Sequence, residues 1–464
     1  MEPQNSSTLV VGTGVVNLVS AYVLARQNHS LVLIDQGPCP LDHQDWKKLG
    51  CTFGGENVRM YTYTEADNYN EKGSQLYGGM GEAFDQVIDD DGWLVRPKST
   101  LNAQERSWID DFHAVSPVDA LQFAEDIYHV NIESGTLWES WIREAPELFE
   151  DIDLLQGILR IYSEREDFEA ARQLHQRLGS FSHSIAVDKV ADQYPVFEHA
   201  KQSDMLGGYM ITKGFTLRVQ DLCKKIIRYL MDYGAEFRWN TTFTDILLDP
   251  LGQVAGLLID DRFERYRNYV ISPGAYAGTS LHNTQTNNQL HGVLGTWLTI
   301  PNLYPELKHS MKIHKTGHVG EDTNITLIKQ GGRPVLVLGS GYGYVGNSNR
   351  NHVENEELEG IFTSLKHTAR TYFPEAYEEA APYIDTTKKY CVRSWTPTGL
   401  GIFEAIATLD GGRLIITGGN NTGGFTQAPY IAEAVAAMIR EEYHPLHRLF
   451  HPRRMSISEE VSVV

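Results

Sequence analysis

The sequence predicts an α/β fold. A Rossmann-like nucleotide-binding domain is joined to a second domain built on a mixed or antiparallel β-sheet with helices. Three observations predict it. The short apolar run Leu9-Val10-Val11 ends in glycines, and helical apolar spacing follows from Val15 to Arg26. Ser30 to Asp35 is a second apolar run, which completes a βαβ unit and favours a parallel sheet. Arg413 to Thr417 is a third such run, leading into the glycine-rich Gly418 to Gly424 and a closing helix.

The other elements follow from the same periodicities. Pro38 and Pro40 end the opening unit. Residues 42–91 are polar and rich in Gly and Tyr, which reads as loop with short helices. Ala103 to Phe112, Pro117 to Tyr128 and Leu137 to Phe149 have helical spacing, the last with Trp138 and Trp141 as core residues. Gln156 to Tyr162 reads as a strand and Glu164 to Leu178 as a charged surface helix. Phe215 to Tyr233 reads as a long helix closed by Gly234. Glu236 to Trp239, Asp245 to Leu248 and Val254 to Ile259 alternate as antiparallel strands, and Tyr269 to Ser272 is a buried strand. Trp297 to Ile300, Asn324 to Gln330 and Pro334 to Gly339 suggest a second sheet. Glu356 to Thr371 is a helix stopped before Pro374, Ala428 to Glu442 is the last helix, and residues 451–464 form a polar tail.

Composition narrows the function. The chain has 464 residues, room for roughly three units of about 150 residues. Lys and Arg total 40 against 60 Asp and Glu, a formal charge of −20. That field repels phosphate backbones and anionic lipid, so no nucleic-acid partner is expected. A small anionic substrate would need local positive charge in its pocket. Leu9 to Ala25 is broken by Gly12, Gly14, Asn17 and Ser20, short of the roughly 20 apolar residues of a membrane span, so no integral membrane segment is expected. Cys39, Cys51, Cys223 and Cys391 make no CxxC pair, and the 17 histidines make no HExxH pair. No disulfide framework and no metal site is expected, and His309, His314 and His318 read as surface residues. Met1 to Ser7 carries no basic residue, which with the cysteine usage reads as a cytoplasmic protein. No GxSxG motif points to hydrolysis.

Gly12-Thr-Gly14-Val-Val-Asn17 follows a strand and opens a helix. Glycines there allow a tight turn and let the backbone approach a pyrophosphate at the helix N-terminus. Asn17 stands where a third small residue is usual, and Asp35 ends the second strand at the distance for a ribose hydroxyl. The motif alone does not separate FAD from NAD, and a NAD-dependent dehydrogenase is the alternative. The second glycine-rich turn, Gly418 to Phe425, favours FAD, which must be held at both ends.

In this order the segments resemble the FAD-dependent D-amino-acid oxidase superfamily, with its glycine oxidase, D-amino-acid dehydrogenase and sarcosine oxidase branches. The opening Val10 to Ala25 with Asp35 and Gln36 resembles the family's FAD fingerprint, with Gly12, Gly14, Val15 and Asn17 at the cofactor. Thr52 to Arg59, with Gly54 and Gly55, stands where the family places a loop against the flavin ring. Phe243 falls where a backbone amide meets the adenine, and Pro273-Gly274 ends the strand near the cofactor. Gly419 to Pro429, with Asn420, Asn421, Gly423, Gly424, Phe425 and Thr426, resembles the closing segment.

Val392 to Gly399 resembles the family's Leu-Arg-Pro-x-Thr-x-Asp-Gly segment, so the resemblance implies that Arg393 holds a substrate carboxylate as a bidentate pair. Ser394 replaces the family's proline and Thr398 its aspartate, which predicts a looser segment. Arg59 is a second candidate anion ligand. Cys391 stands where the sarcosine oxidase branch joins a cysteine to the flavin, and Cys51 is a weaker candidate near the ring. Tyr276, Tyr342, Tyr344 and Trp395 are candidates for an aromatic pocket.

The resemblance implies oxidation of a small amino acid or amine bearing a carboxylate to an imine, by hydride transfer to flavin N5. Oxygen or a quinone would take the electrons. A sarcosine-like secondary-amine oxidase with covalent flavin is the variant reading, and self-association is left open. The expected FAD-binding domain comprises 1–66, 205–288 and 396–450, and the substrate domain 67–204 and 289–395.

Overall fold

The computed structural model describes residues 7–43, 60–66, 83–184, 186–315, 322–347, 353 and 355–454. The opening βαβ unit forms as the sequence dictates. Thr8–Val11 (β1) leads through Val15–Arg26 (α1) to Leu31–Asp35 (β2), paired parallel to β1. Asn268–Ile271 (β11) and Arg413–Gly418 (β18) add in parallel on the other side of β1. Ile402–Ala407 (β17) closes that edge antiparallel to β18. Glu236–Trp239 (β7), expected as an antiparallel strand, pairs parallel to β2 instead. It follows the helix Val219–Tyr233 (α5), whose left-handed cap at Gly234 returns the chain to the same side, and a helical crossover delivers a parallel strand. The sheet order is β17-β18-β11-β1-β2-β7. Phe243–Leu248 (β8), Val254–Ile259 (β9) and Arg262–Glu264 (β10) form a small antiparallel sheet beside it.

The second large sheet has nine strands. In spatial order they are Lys389–Trp395 (β16), His291–Pro301 (β12), Arg333–Gly346 (β15), Asp322–Gln330 (β14), Ser310–His314 (β13), Leu155–Tyr162 (β4), Gly208–Thr216 (β6) and Met60–Thr62 (β3). Phe181–Ser184 (β5) also pairs with β6. One face carries Leu159, Ile161, Met311, Ile313, Leu336 and Leu338 and is covered by Glu359–Tyr372 (α6) through Ile361, Phe362 and Leu365. The other face carries the polar side chains described below.

Three helices precede or flank β4. Ala103–Ala114 (α2) starts at an Asn102–Glu105 capping box, Pro117–Glu144 (α3) at a Ser116 cap, and Arg165–Arg177 (α4) covers Tyr162 and Met210 with Phe168. The sequence reads α3 as two helices with a break near residues 129–136. No break occurs, because the polar residues there are satisfied across the interface. Asn131 donates to the carbonyls of Tyr63 and Glu65, Ser134 donates to Thr426, and Gly135 leaves room for the Tyr61 hydroxyl. The helix therefore packs with α1 and the late helix Gly424–Ile439 (α7) in one core containing Val19, Val130, Trp138, Phe215 and Phe425. Packing thus places α3 against the six-stranded sheet's helices and β6 in the nine-stranded sheet. The expected boundaries assign α3, within 67–204, to the substrate domain and β6, within 205–288, to the FAD-binding domain. No helix among the described residues is long and apolar enough to cross a membrane.

Candidate active site

β1, β11 and β18 lie side by side and point the same way, so their C-terminal ends share one edge. Open parallel sheets bind nucleotides at that edge. α1 and α7 begin there, and Gly424 approaches Val16 so closely that a Cβ would lie 3.8 Å from its Cγ2. Neither helix has a side-chain cap or an acidic residue in its first turn, whereas α2 and α3 have both. Two sets of free N–H groups therefore face the same edge, a setting for an anion.

Sequence-predicted residues converge on it. Gly12 has φ +94°, and a Cβ there would meet the Ser272 carbonyl oxygen at 2.7 Å, which locks the turn after β1 against Pro273-Gly274. Gly14 has open space where a Cβ would point. Asn17 is fully buried and turned inward. Its amide donates to the carbonyls of Val11 at 2.6 Å and Gly12 at 3.0 Å, so it braces the glycine turn from behind. Asp35 accepts three bonds, from the Thr13 amide (2.7 Å), the Thr13 hydroxyl (2.8 Å) and the Gly37 amide (2.7 Å). One carboxylate lone pair is left on Oδ1 for a further donor. Gln36 is exposed beside it, and the Thr241 amide, two residues before Phe243, donates to the Asp35 carbonyl.

The late glycine turn is stitched to β16. The Gly419 amide donates to the Ser394 hydroxyl (3.2 Å), the Asn421 amide to the Ser394 carbonyl (3.0 Å), and Trp395 bridges Asn420. Asn421 takes a positive φ of 53° and its amide group donates to the Gly399 carbonyl. Ser394 and Thr398 were expected to loosen this segment. Both hydrogen-bond instead, Ser394 to the turn and Thr398 to the Leu400 amide (3.3 Å). Gly423, at the start of α7, has no side chain to cap it, while Phe425 and Thr426 face the core. Phe425 packs on Trp138, and the Thr426 carbonyl accepts from Ser134 and the Trp138 indole.

Arg393 is half-buried on β16, its guanidinium 5.2 Å over the Tyr342 ring. Trp93 stacks on Tyr342 at 4.4 Å, and Trp395 meets both rings edge-on at 5.7 Å. Nη2 donates to the carbonyls of Leu294 (3.0 Å) and Gly341 (2.7 Å), while Nε is buried without a partner among the described residues. A two-point grip on a carboxylate uses Nη2, so the expected bidentate pair requires Nη2 to leave one carbonyl. Cys391 lies on the same face, in an apolar cluster with Trp297, Ile328 and Val337. Tyr344 is buried, its hydroxyl 2.7 Å from His291 Nδ1, and burial pushes that histidine's pKa down to about 3. Tyr276 is half-buried near Pro273. Arg59, Gly54, Gly55 and Cys51 lie outside the described residues.

The sequence reading missed a group of buried charges. Arg160 on β4 and Lys312 on β13 are paired in register and both are 7% exposed. Arg160 donates to the hydroxyls of Thr212 (3.3 Å) and Thr64 (2.8 Å), and Lys312 to the Glu65 carboxylate (2.9 Å). His314, expected at the surface, is buried and bonded to Asp322 at 2.8 Å. His309 is half-buried, and His318 is outside the described residues. A lone charge inside a strand has no motif, and only its alternation with Leu159 and Ile161, or with Met311 and Ile313, marks which face it occupies.

The model of the DAO family, FAD-dependent oxidoreductases, matches residues 7–438. The chain belongs to this family. Similar solved structures include glycine oxidase from Bacillus cereus ATCC 14579, with 16% identity, TM-score 0.61, 95% of this chain and 97% of that one covered. L-proline dehydrogenase from P. horikoshii has 14% identity and TM-score 0.63, covering 98% and 99%. Iminodiacetate oxidase from Chelativorans sp. BNC1 has 14% identity and TM-score 0.59, covering 96% and 98%. At these identities the likeness is one of fold.

FAD is the cofactor of the DAO family, and the sheet edge fits it. The left-handed turn at Gly12, the open side of Gly14 and two helix starts without side-chain caps suit a pyrophosphate. The Thr422 hydroxyl, in the turn before α7, is buried without a partner among the described residues. No group of three or more His, Cys, Asp or Glu that could hold a metal occurs among the described residues.

Proposed function

We propose that this FAD-dependent oxidoreductase oxidises the C–N bond of a small amino acid, or an amine bearing a carboxylate, to an imine, in the cytoplasm. The observation that supports this reading is the stitching of β16 to the Gly418–Gly424 turn through Ser394, which puts Arg393 one residue from the cofactor edge. FAD, when bound, accepts the hydride from the substrate α-carbon, and oxygen or a quinone takes the electrons onward.

The chain's own residues position and desolvate. Arg393 supplies positive charge within an acidic protein and holds the carboxylate through donors not spent on Leu294 and Gly341. Trp93, Tyr342 and Trp395 exclude water on that side, and desolvation favours the neutral amine, so no dedicated base is required. Gly12, Gly14, Asp35 and the turns at Pro273 and Gly419 hold the cofactor. The six-stranded sheet with its helices forms the cofactor half and the nine-stranded sheet the substrate half.

Anaerobic bleaching of the bound flavin by a panel of D-amino acids, glycine and N-substituted glycines tests the reading. At least one is expected to bleach it, and Arg393→Ala is expected to keep the flavin spectrum while losing about tenfold or more in the rate or affinity of reduction. A panel that leaves the flavin yellow, or an Arg393→Ala protein that no longer binds FAD, would overturn it.

A further inference from the structure

The cross-strand register sets Arg160, Lys312 and Asn324 in one row across β4, β13 and β14, continuing through Gly339 to Trp297 on β12. Neighbours in the row are about 4.8 Å apart and share a face. The register of β12 with β16 puts Arg393 on that same face. Arg160 is enclosed by the sheet and the turn carrying Thr64, yet it bonds only two hydroxyls and has no carboxylate at ion-pair distance among the described residues. Charged side chains this buried are normally paired. Among the described residues Lys312 is ion-paired with Glu65, and Asp322, hydrogen-bonded to His314, is held ionised against its burial by His314, Lys312 and Arg160 together. Among the described residues two of the five N–H groups of Arg160 and one of the three of Lys312 find acceptors, leaving three and two. Asn324 Oδ1, next in the row, is a buried acceptor without a partner among those residues.

We propose that Arg160 and Lys312 form a subsite for a second acidic group, so that the substrate is a dicarboxylic amino acid or dicarboxylic secondary amine. This rests on the amine-oxidation reading above. The subsite holds N–H donors on two cations that Thr64, Thr212 and Glu65 leave unused, and an acidic substituent satisfies them. Burial, with added repulsion from Arg160 and Lys312, pushes the pKa of His175 down to about 2, so the field of the two cations is felt beside the row. Asn324 Oδ1 then accepts an N–H of the same substrate.

The test is anaerobic bleaching of the holoenzyme with matched pairs: racemic glutamate against glutamine, aspartate against asparagine, and iminodiacetate against sarcosine. The acidic member of at least one pair is expected to bind at least about tenfold tighter than its neutral partner. Arg160→Gln is expected to cut that preference about tenfold, and Arg160→Lys to restore part of it, with flavin content and melting temperature followed in parallel. A fall shared equally by acidic and neutral partners would make Arg160 a structural strut and overturn the subsite. Should Arg160→Gln fail to fold, the wild-type preference decides. Bleaching by neutral compounds alone sinks the subsite and leaves amine oxidation standing; no bleaching by either set removes both.

Discussion

Arg393 and Cys391 stand two residues apart on β16 and point to the same face, yet their neighbours differ. Arg393 has carbonyl oxygens and an aromatic ring, and Cys391 has Trp297, Ile328 and Val337. Arg393 was legible in the sequence because it sits inside a recognisable segment. Arg160 and Lys312 were not, because two strands far apart in the chain bring them together, and neither strand reveals its partner.

Among elements, β12 and β16 depend on each other at one missing side chain. Gly295 lies opposite Cys391, and a Cβ there would fall 2.1 Å from Arg393 Nη2. Gly295→Ala is expected to displace the guanidinium, retain FAD, and weaken substrate reduction about tenfold, close to the effect of Arg393→Ala. Unchanged reduction kinetics in a flavin-replete Gly295→Ala protein would show that the arginine's pose is not set by this contact. Most elements were readable from periodicity, including the opening unit, β8, β9, β14 and β18. The failures have physical causes. β7 shows the same alternation whether it pairs parallel or antiparallel, and the direction was fixed by the preceding helix. The middle of α3 looks like a break only until Asn131 and Ser134 find their partners across the interface.

At the level of the whole molecule, two buried histidines set an acid limit. Burial drives the pKa of His291 down to about 3, and burial with nearby cations drives that of His175 to about 2, from an ordinary 6.5. The folded protein keeps both neutral while the unfolded chain protonates them, so stability is complete above about pH 6.5 and falls as pH drops towards the folded values. Each contributes about 1.4 kcal/mol per pH unit in that window. Denaturation midpoints measured from pH 7 to pH 5 are expected to fall, and His291→Gln to reduce the slope by about one proton; an unchanged slope would remove His291 from the account. The strand order carries one further consequence. β1, β11 and β18 are neighbours, although they begin at residues 8, 268 and 413. Pairing so distant in sequence is slow to form. The opening strand has both its partners once β11 is made, but the edge that α1 and α7 share closes only when β18 joins β11, so flavin capture waits for a strand made about 400 residues after the first glycine turn.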